Sequence, residues 1–446
     1  MLNVLFVVVV LLSVAFAAWN GSMQAVTDAI LLDSKKAVDL SLKLIGIMAF
    51  FLGLMKVIDR AGVLHVLVRV LRPLLRRLFP GVPADHPAHS AMILNVASNM
   101  LGLGNAATPF GIKAMEELDK LNREKGTASN AMILFLAINT AGLAVLPSGM
   151  IGQRAALGSQ DATGIFLTTW MASGTATLVG IAIAFLLSRL PAFSRTAPET
   201  AEPSVTPSAE AASERANDST DAASNAVEAE AEEELVPPRF GKPLAVLFWV
   251  AIVAALGRYL YLAAAGGDGY ETVRSIFSYW MLPIIVSIFI LFGWVRGVRV
   301  YETMVEGAKE GFQVAIRIIP YLVAILVMAG MFRAAGGFDV MQRILGPVTS
   351  WIGMPVEVLP LALMRPLTGS GAFGLSLDLM STHGPDSLIG YMASTMYGST
   401  ETTFYVLAVY FGAVGVRRTR HALPTCLAAD FAGIAMAVFS VNLFFG

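Results

Sequence analysis

The sequence predicts an all-α polytopic membrane protein, and three observations lead there. The first is hydropathy. The chain has 446 residues, of which 56% are hydrophobic and 14% charged, and its mean hydropathy is +0.68; about a quarter of residues are charged in soluble globular domains. The second is internal duplication. RAGVLHVLVRVLRPL (60–74) is answered by RAAGGFDVMQRILGPV (333–348), LGLG (101–104) by TGSG (368–371), FGI (110–112) by FGL (373–375), and Asn139-Thr140 by Ser399-Thr400. The third is that Gly and Pro interrupt apolar segments at corresponding places in the two halves. That combination points to a transporter built from structural repeats.

The first half, 1–190, opens on an apolar run at 2–19. It lacks a basic leader and aligns with a full-length run at 276–294, so it reads as a retained helix rather than a signal peptide. A mixed segment with Asp33, Lys35 and Lys36 follows, then a span at 38–58. Between 60 and 79, Arg60, Arg69, Arg72, Arg76 and Arg77 recur among Val and Leu at helical spacing, the pattern of a helix lying on an anionic leaflet. The stretch 90–121 is too polar and broken for a simple span. Its arms fall short of the roughly 20 residues that cross a bilayer, so it predicts a re-entrant hairpin whose backbone needs cover from protein or a water-filled cavity. A span at 130–150 is broken by 139–142 and Pro147, and 164–187 is an uninterrupted span.

Residues 191–240 form a linker. Its core, 196–237, holds 11 acids and one Arg, leaving 30 basic and 21 acidic residues elsewhere. Such a segment buries too little apolar surface to order itself. The second half, 241–446, begins with an extra span at 244–264 and then replays the first. There is a span at 276–294, a charged segment at 296–311, a span at 312–332, an interfacial stretch at 337–353, a hairpin at 355–381, a broken span at 388–412 and a closing span at 422–444. With uncrossed hairpins the count is about nine transmembrane helices. The basic loops are 56–87, 113–126, 189–242, 296–311 and 413–421. Placing them all inside puts the N-terminus in the cytoplasm and the C-terminus outside. The second repeat then starts on the opposite face, so the repeats are inverted.

Composition excludes several chemistries. One cysteine rules out an internal disulfide and a cysteine metal site, and the five histidines (65, 86, 89, 383, 421) form no H-E-x-x-H motif. No Gly-rich phosphate loop or nucleophile–base pair is present. Neither an enzyme activity, a metal, a cofactor nor a nucleic-acid partner is expected.

Candidate site residues lie where polar groups enter apolar segments. Glu401 sits mid-span in YGSTETTFY (397–405), beside Ser399, Thr400, Thr402 and Thr403. A carboxylate at that depth is costly and functional by default, and with hydroxyls and unwound carbonyls it makes a hard oxygen site for Na⁺ or H⁺ coupling. A purely structural pairing with Arg365 is the bland alternative. At the second hairpin tip, Arg365, Thr368, Gly369, Ser370 and Gly371 offer a guanidinium and turn amides to an anionic or carbonyl-bearing group; close helix packing explains the glycines equally well. Around the first tip, Asn95, Asn99, Gly102, Gly104, Asn105 and Thr108 face Asn139 and Thr140. Neutral amides there suit nucleobase-, sugar- or amide-like solutes and also serve as interhelical glue. Asp430 in the last span is a weaker candidate.

These motifs carry a resemblance. NVASNMLGLGNAATPFG (95–111) is similar to the signature of spore maturation protein A. RPLTGSGA (365–372) with YGSTETTFY (397–405) resembles that of spore maturation protein B. Each half also resembles the nucleoside-recognition Gate domain shared with concentrative nucleoside transporters and a ferrous-iron permease. The resemblance implies a multispanning inner-membrane protein without fixing its substrate. The leading expectation is a secondary transporter moving a small polar solute, with Na⁺ or H⁺, between two hairpin tips near the bilayer midplane. The alternatives are a non-transporting membrane scaffold and a channel-like path for an ion or small carboxylate. The lipid bilayer is the expected environment, and a homo-oligomer is compatible with it.

Overall fold

The computed structural model describes the chain apart from Met1, 84–85, 101–103, 146, 196–237, 239, 267–271 and 273–274. The expected linker falls almost wholly outside the described residues. Every regular element described is helical; the one strand-like feature is an isolated bridge between Thr127 and Arg418.

The first half comprises α1 (Leu2–Asn20), α2 (Met23–Arg60), α3 (Val63–Leu78), α4 (Pro87–Met100), α5 (Gly104–Lys120), α6 (Asn130–Ala141), α7 (Ser148–Ala156) and α8 (Ile165–Arg189). A single turn, α9 (Pro191–Ser194), and the extra helix α10 (Gly241–Gly266) separate it from the second half. There, a π-helical turn at Ile276–Trp280 leads into α11 (Met281–Val295), followed by α12 (Val300–Ala334), α13 (Gly337–Trp351), α14 (Leu359–Met364), α15 (Gly369–His383), α16 (Leu388–Ser399), α17 (Thr403–Ala413) and α18 (Ala422–Phe445). Elements ten apart in this count therefore correspond, from α1 with α11 to α8 with α18.

Two helices are longer than the sequence suggests. The expected spans at 38–58 and 312–332 are parts of α2, with 38 residues, and α12, with 35. At 1.5 Å per residue α2 is about 57 Å long, nearly twice a hydrocarbon core of about 30 Å. The charges that read as loop signals are instead matched between the two helices. Lys56 pairs with Glu310 at 3.1 Å, and Arg60 pairs with Glu306 at 2.8 Å and donates to Thr303 at 3.2 Å. At the far end Asn20, just before α2, donates to the Ala335 carbonyl just after α12. The pair therefore runs antiparallel. Its seam is narrow because Gly307 and Gly311 lie on it: a Cβ on either would stand 2.6 Å from backbone atoms of Leu52 or Ala49. Small residues four apart allow this backbone approach.

The centre of the molecule belongs to the broken spans. Every side chain of α6 from Met132 to Ala141 is buried, as are Gly390 to Met396 of α16. Equivalent serines start both helices: Ser129 accepts from the Met132 N–H and Ser387 from the Gly390 N–H, each an N-cap satisfying an otherwise orphaned donor. Around them pack α8 and α18, which also run antiparallel, since Gly180 lies beside Ala429 and Ala176 beside Gly433. The hairpins α4/α5 and α14/α15 complete the enclosure.

The periphery is exposed and apolar. On α10 no side chain from Leu244 to Leu262 is buried; Val246, Leu247, Val250 and Val253 are exposed, and among the described residues the helix packs on α11 and the π-helical turn before it, where Tyr259 meets Trp280. Helix α3 buries Leu71 and Leu75 and leaves Arg69, Arg72 and Arg77 exposed, the two-faced arrangement of an interfacial helix. Its counterpart α13 meets the first arm of the second hairpin at a bend of 103°. Four helices (α2, α8, α10 and α18) are long and apolar enough to cross a membrane, or six elements if two bent pairs each count as one. With these helices, the chain is a multi-pass membrane protein.

Candidate functional site at the crossing of the broken spans

Each broken span stops near its middle for a local reason. Helix α6 ends where Gly142 takes φ +55°, a left-handed conformation that favours glycine, and Pro147 delays the next helix to Ser148. Helix α16 ends at Ser399, Thr400 and Thr402 are extended, and α17 starts at Thr403. The breaks meet. The Glu401 N–H donates to the Thr140 carbonyl at 2.8 Å, and a Cβ on Gly142 would stand 3.0 Å from the Glu401 nitrogen.

Each break also binds the tip of its own hairpin in the same way. Val145, beyond the first break, donates its N–H to the Met100 carbonyl at 2.9 Å; Phe404, beyond the second, donates to the Pro366 carbonyl at 3.0 Å. Two breaks and two tips thus gather the ends of eight half-helices. Four C-termini (α4, α6, α14, α16) bring unpaired carbonyls and four N-termini (α5, α7, α15, α17) bring unpaired amides. Their end charges favour cations at the first set and anions at the second. Such interrupted helices hold solutes and coupling ions in transporters.

In the first half the polar side chains form one network. Asn99 donates to the Asn139 side-chain oxygen at 3.1 Å. Asn95 donates to the Ala107 carbonyl at 2.8 Å and to the Tyr410 hydroxyl at 3.1 Å, and that hydroxyl donates to Asn139 at 3.4 Å. Of the residues expected here, Asn99 meets Asn139 directly and Asn95 meets it through Tyr410. Gly102 lies outside the described residues; Gly104 opens α5, with Asn105 after it and Thr108 half-buried one turn on. Thr140 is buried with its hydroxyl beside the Cys426 thiol.

The second half is built differently. Arg365 is buried, donates to the Thr402 hydroxyl at 3.3 Å and stacks 4.6 Å over the Tyr397 ring. The alternative pairing of Arg365 with Glu401 is not formed among the described contacts. Thr368 caps α15 by accepting from the Gly371 N–H and shares a hydrogen bond with Ser370; Gly369 lies against Thr402. Ser399, Thr400, Thr402 and Thr403 are buried, whereas Glu401 is exposed. The hydroxyls therefore line the interior behind the break, while the Glu401 side chain beside Gly142 is open to the exterior of the protein.

Two features escaped the sequence. Tyr410 completes the amide network from the other half; the signal was the buried stripe Thr403, Val406, Tyr410 on α17, a helical spacing that reads equally as core. The second is a pair of arginine clasps. Arg154, in the last turn of α7, is fully buried and reaches the Pro385 carbonyl at 2.6 Å, the Asp161 carbonyl at 3.0 Å, Ser394 at 3.2 Å and Asp386 at 2.9 Å. Arg420, after α17, reaches the Ala128 carbonyl at 3.0 Å and Asn130 at 2.9 Å. Each arginine thus grips the start of the other half's broken span. No sequence spacing announces a contact 231 residues away.

Comparison with known proteins agrees with this architecture. The Gate family, described as nucleoside recognition, matches residues 41–157 and 315–417, one stretch in each half. Spore maturation protein B of Bacillus subtilis (strain 168) is 49% identical over 166 residues, 37% of this chain and 93% of that protein. Spore maturation protein A of the same strain is 41% identical over 165 residues, 37% of this chain and 84% of that protein. The chain belongs to the spore maturation protein A/B family. No solved structure matches it significantly.

Proposed function

We propose that this protein is a secondary transporter of a small polar solute, coupled to Na⁺ or H⁺, with its site at the crossing of the two broken spans. The observation that carries the proposal is the meeting of the breaks, Glu401 N–H on Thr140 carbonyl, with both hairpin tips bound beside it. Glu401 and the Ser399–Thr403 backbone supply the coupling chemistry, and Asn95, Asn99, Asn139 and the tip around Arg365 supply solute contacts. The Gate description favours a nucleoside-like solute, which neutral amides that both donate and accept would suit.

The inverted arrangement is part of the proposal, with about nine spans in the inner membrane and the N-terminus in the cytoplasm. It is supported by three corresponding pairs that run antiparallel: α2 with α12, α8 with α18, and α6–α7 with α16–α17. The last follows from the clasps, since Ala128 meets Arg418 at one end and Arg154 meets Pro385 at the other. The basic loop 113–126 thereby lies beside the basic loop 413–421, as the charge rule requires for a shared cytoplasmic side.

One observation favours a scaffold instead. The Asn95–Asn99–Asn139–Tyr410 network is largely satisfied internally, so those amides also serve as glue between the halves. Thermal-shift assays of the purified protein with uridine, adenosine, succinate or glutamate, in Na⁺ or choline and at two pH values, separate the readings. The transporter reading expects stabilisation by one class that depends on cation or pH and is lost in Glu401→Gln, which keeps the shape and removes the charge. Equal stabilisation in Glu401→Gln would remove Glu401 from the coupling site. No stabilisation by any class would favour the scaffold.

A further inference from the structure

Behind the break lies a second acid whose surroundings differ from those of Glu401. Asp430 is the ninth residue of α18, about 12 Å along the helix from its N-terminus, and it is 1% exposed. The Thr403 hydroxyl donates to its Oδ2 at 2.6 Å, while Oδ1 is buried with no hydrogen-bond partner among the described residues. Hydroxyls of Thr400 on the break and Ser173 on α8 are likewise buried and unpartnered. Thr400 packs against Gly433, one turn along α18 from Asp430.

The charged groups around it are few. Arg365 from the second tip and Glu401 from the break are the two that act on Asp430 through space. No ion pair joins Arg365 to Asp430 among the described residues; the guanidinium is engaged by Thr402 and Tyr397. Of the helices packed on α18, α6 carries no ionisable side chain, α8 carries Arg189 at its far end, α16 carries Tyr391 and Tyr397, and α17 carries Tyr405 and Tyr410. Cys426 lies one turn before Asp430 on α18 itself. An ionised carboxylate in such a place has neither a contact cation nor a full set of donors.

We propose that Asp430 is a proton-carrying site, protonated at neutral pH while Arg365 is held by Thr402 and Tyr397, and that it, behind Glu401, holds the coupling proton. Its role rests on the transporter reading; its protonation does not. The proton sits on Oδ1, with Oδ2 accepting from Thr403. Loss of that proton leaves a buried carboxylate with no contact cation among the described residues, and the guanidinium of the second tip, Arg365, is held on the neighbouring Thr402. Because Thr402 and Thr403 are consecutive at the start of α17, the ionisation of Asp430 is linked to the seat of the second hairpin tip. A buried titrating acid within reach of a bistable contact is the element a proton-driven switch needs.

Infrared difference spectroscopy on the full-length protein in detergent tests this without any solute. At pH 7 the wild-type spectrum should contain the carbonyl band of a protonated carboxylic acid, shifted by exchange into D₂O. The band should vanish in Asp430→Asn, persist in Glu401→Gln and move in frequency in Thr403→Val, which removes the hydroxyl donor. A band absent from the wild type at pH 7, or unchanged in Asp430→Asn, overturns the proposal. So does a band abolished by Na⁺ relative to choline at constant pH, which would make Asp430 a sodium ligand. A protein that moves no solute yet shows the Asp430 band would refute the transporter reading while leaving the proton site in place.

Discussion

The two halves of this protein share a frame and differ in chemistry at the same place. In the first half the break and its hairpin are joined by neutral amides, Asn99 to Asn139 and Asn95 to Tyr410. In the second, the equivalent positions hold a buried guanidinium, buried hydroxyls and an exposed carboxylate. The frame is conserved because it is made of backbone: Val145 to Met100 and Phe404 to Pro366 use no side chain. Side chains were therefore free to diverge while the half-helix ends stayed where they were. On the transporter proposal, the neutral half takes the solute and the charged half the coupling cation.

The clasps differ in the same manner. Arg154 is fully enclosed and forms an ion pair with Asp386, whose carboxylate also accepts from Ser159 and from the Gln160 N–H. Arg420 is only partly buried and holds neutral acceptors, while its neighbour Arg418 meets Glu124 in the open. Arg154→Ala should cost about 3 kcal/mol, since it strips a buried charge network. Arg420→Ala should cost about 1 kcal/mol. Thermal unfolding in detergent checks the order, and equal effects would mean that the two ends are gripped alike.

A smaller effect should come from pH at the Arg420 end. His421 is buried with both ring nitrogens unpartnered, and desolvation, then the Arg420 charge, push its pKa down from 6.5 to about 4. Its folded value lies below its unfolded value, so the unfolded chain binds the extra proton between them. The contribution is fully present above pH 6.5 and is lost as the pH falls towards 4. Stability in that window should decline in the wild type and decline less in His421→Phe, a ring of similar shape beside Phe193. Identical profiles would place the acid-sensitive group elsewhere.

Much of this was legible in the sequence. The duplication located both helix breaks, at 139–142 and after Ser399, because Gly and Pro mark backbone that leaves the helix. The lengths of α2 and α12 were not legible. Lys56, Arg60, Glu306 and Glu310 look like loop residues until the antiparallel partner is present to match them. The exposure of Glu401 beside four buried hydroxyl residues was also hidden, since a motif gives the residue and not its surroundings. Tyr410 and Arg154 were invisible for a third reason: their partners lie in the other half of the chain.

The central claim is that the two broken spans pass each other in opposite directions. Labelling of single cysteines by a membrane-impermeant maleimide in intact cells tests it most directly, in a background where the buried Cys426 is the one native thiol. Gln160→Cys and Thr382→Cys occupy exposed positions at the Arg154 clasp, one in the loop after α7 and one in the last turn of α15; Arg123→Cys and Arg417→Cys occupy exposed loop positions at the Arg420 clasp. The account predicts that the first pair is labelled from outside and that the second is labelled only after the membrane is permeabilised. Gln160→Cys and Thr382→Cys labelled from opposite sides would contradict it.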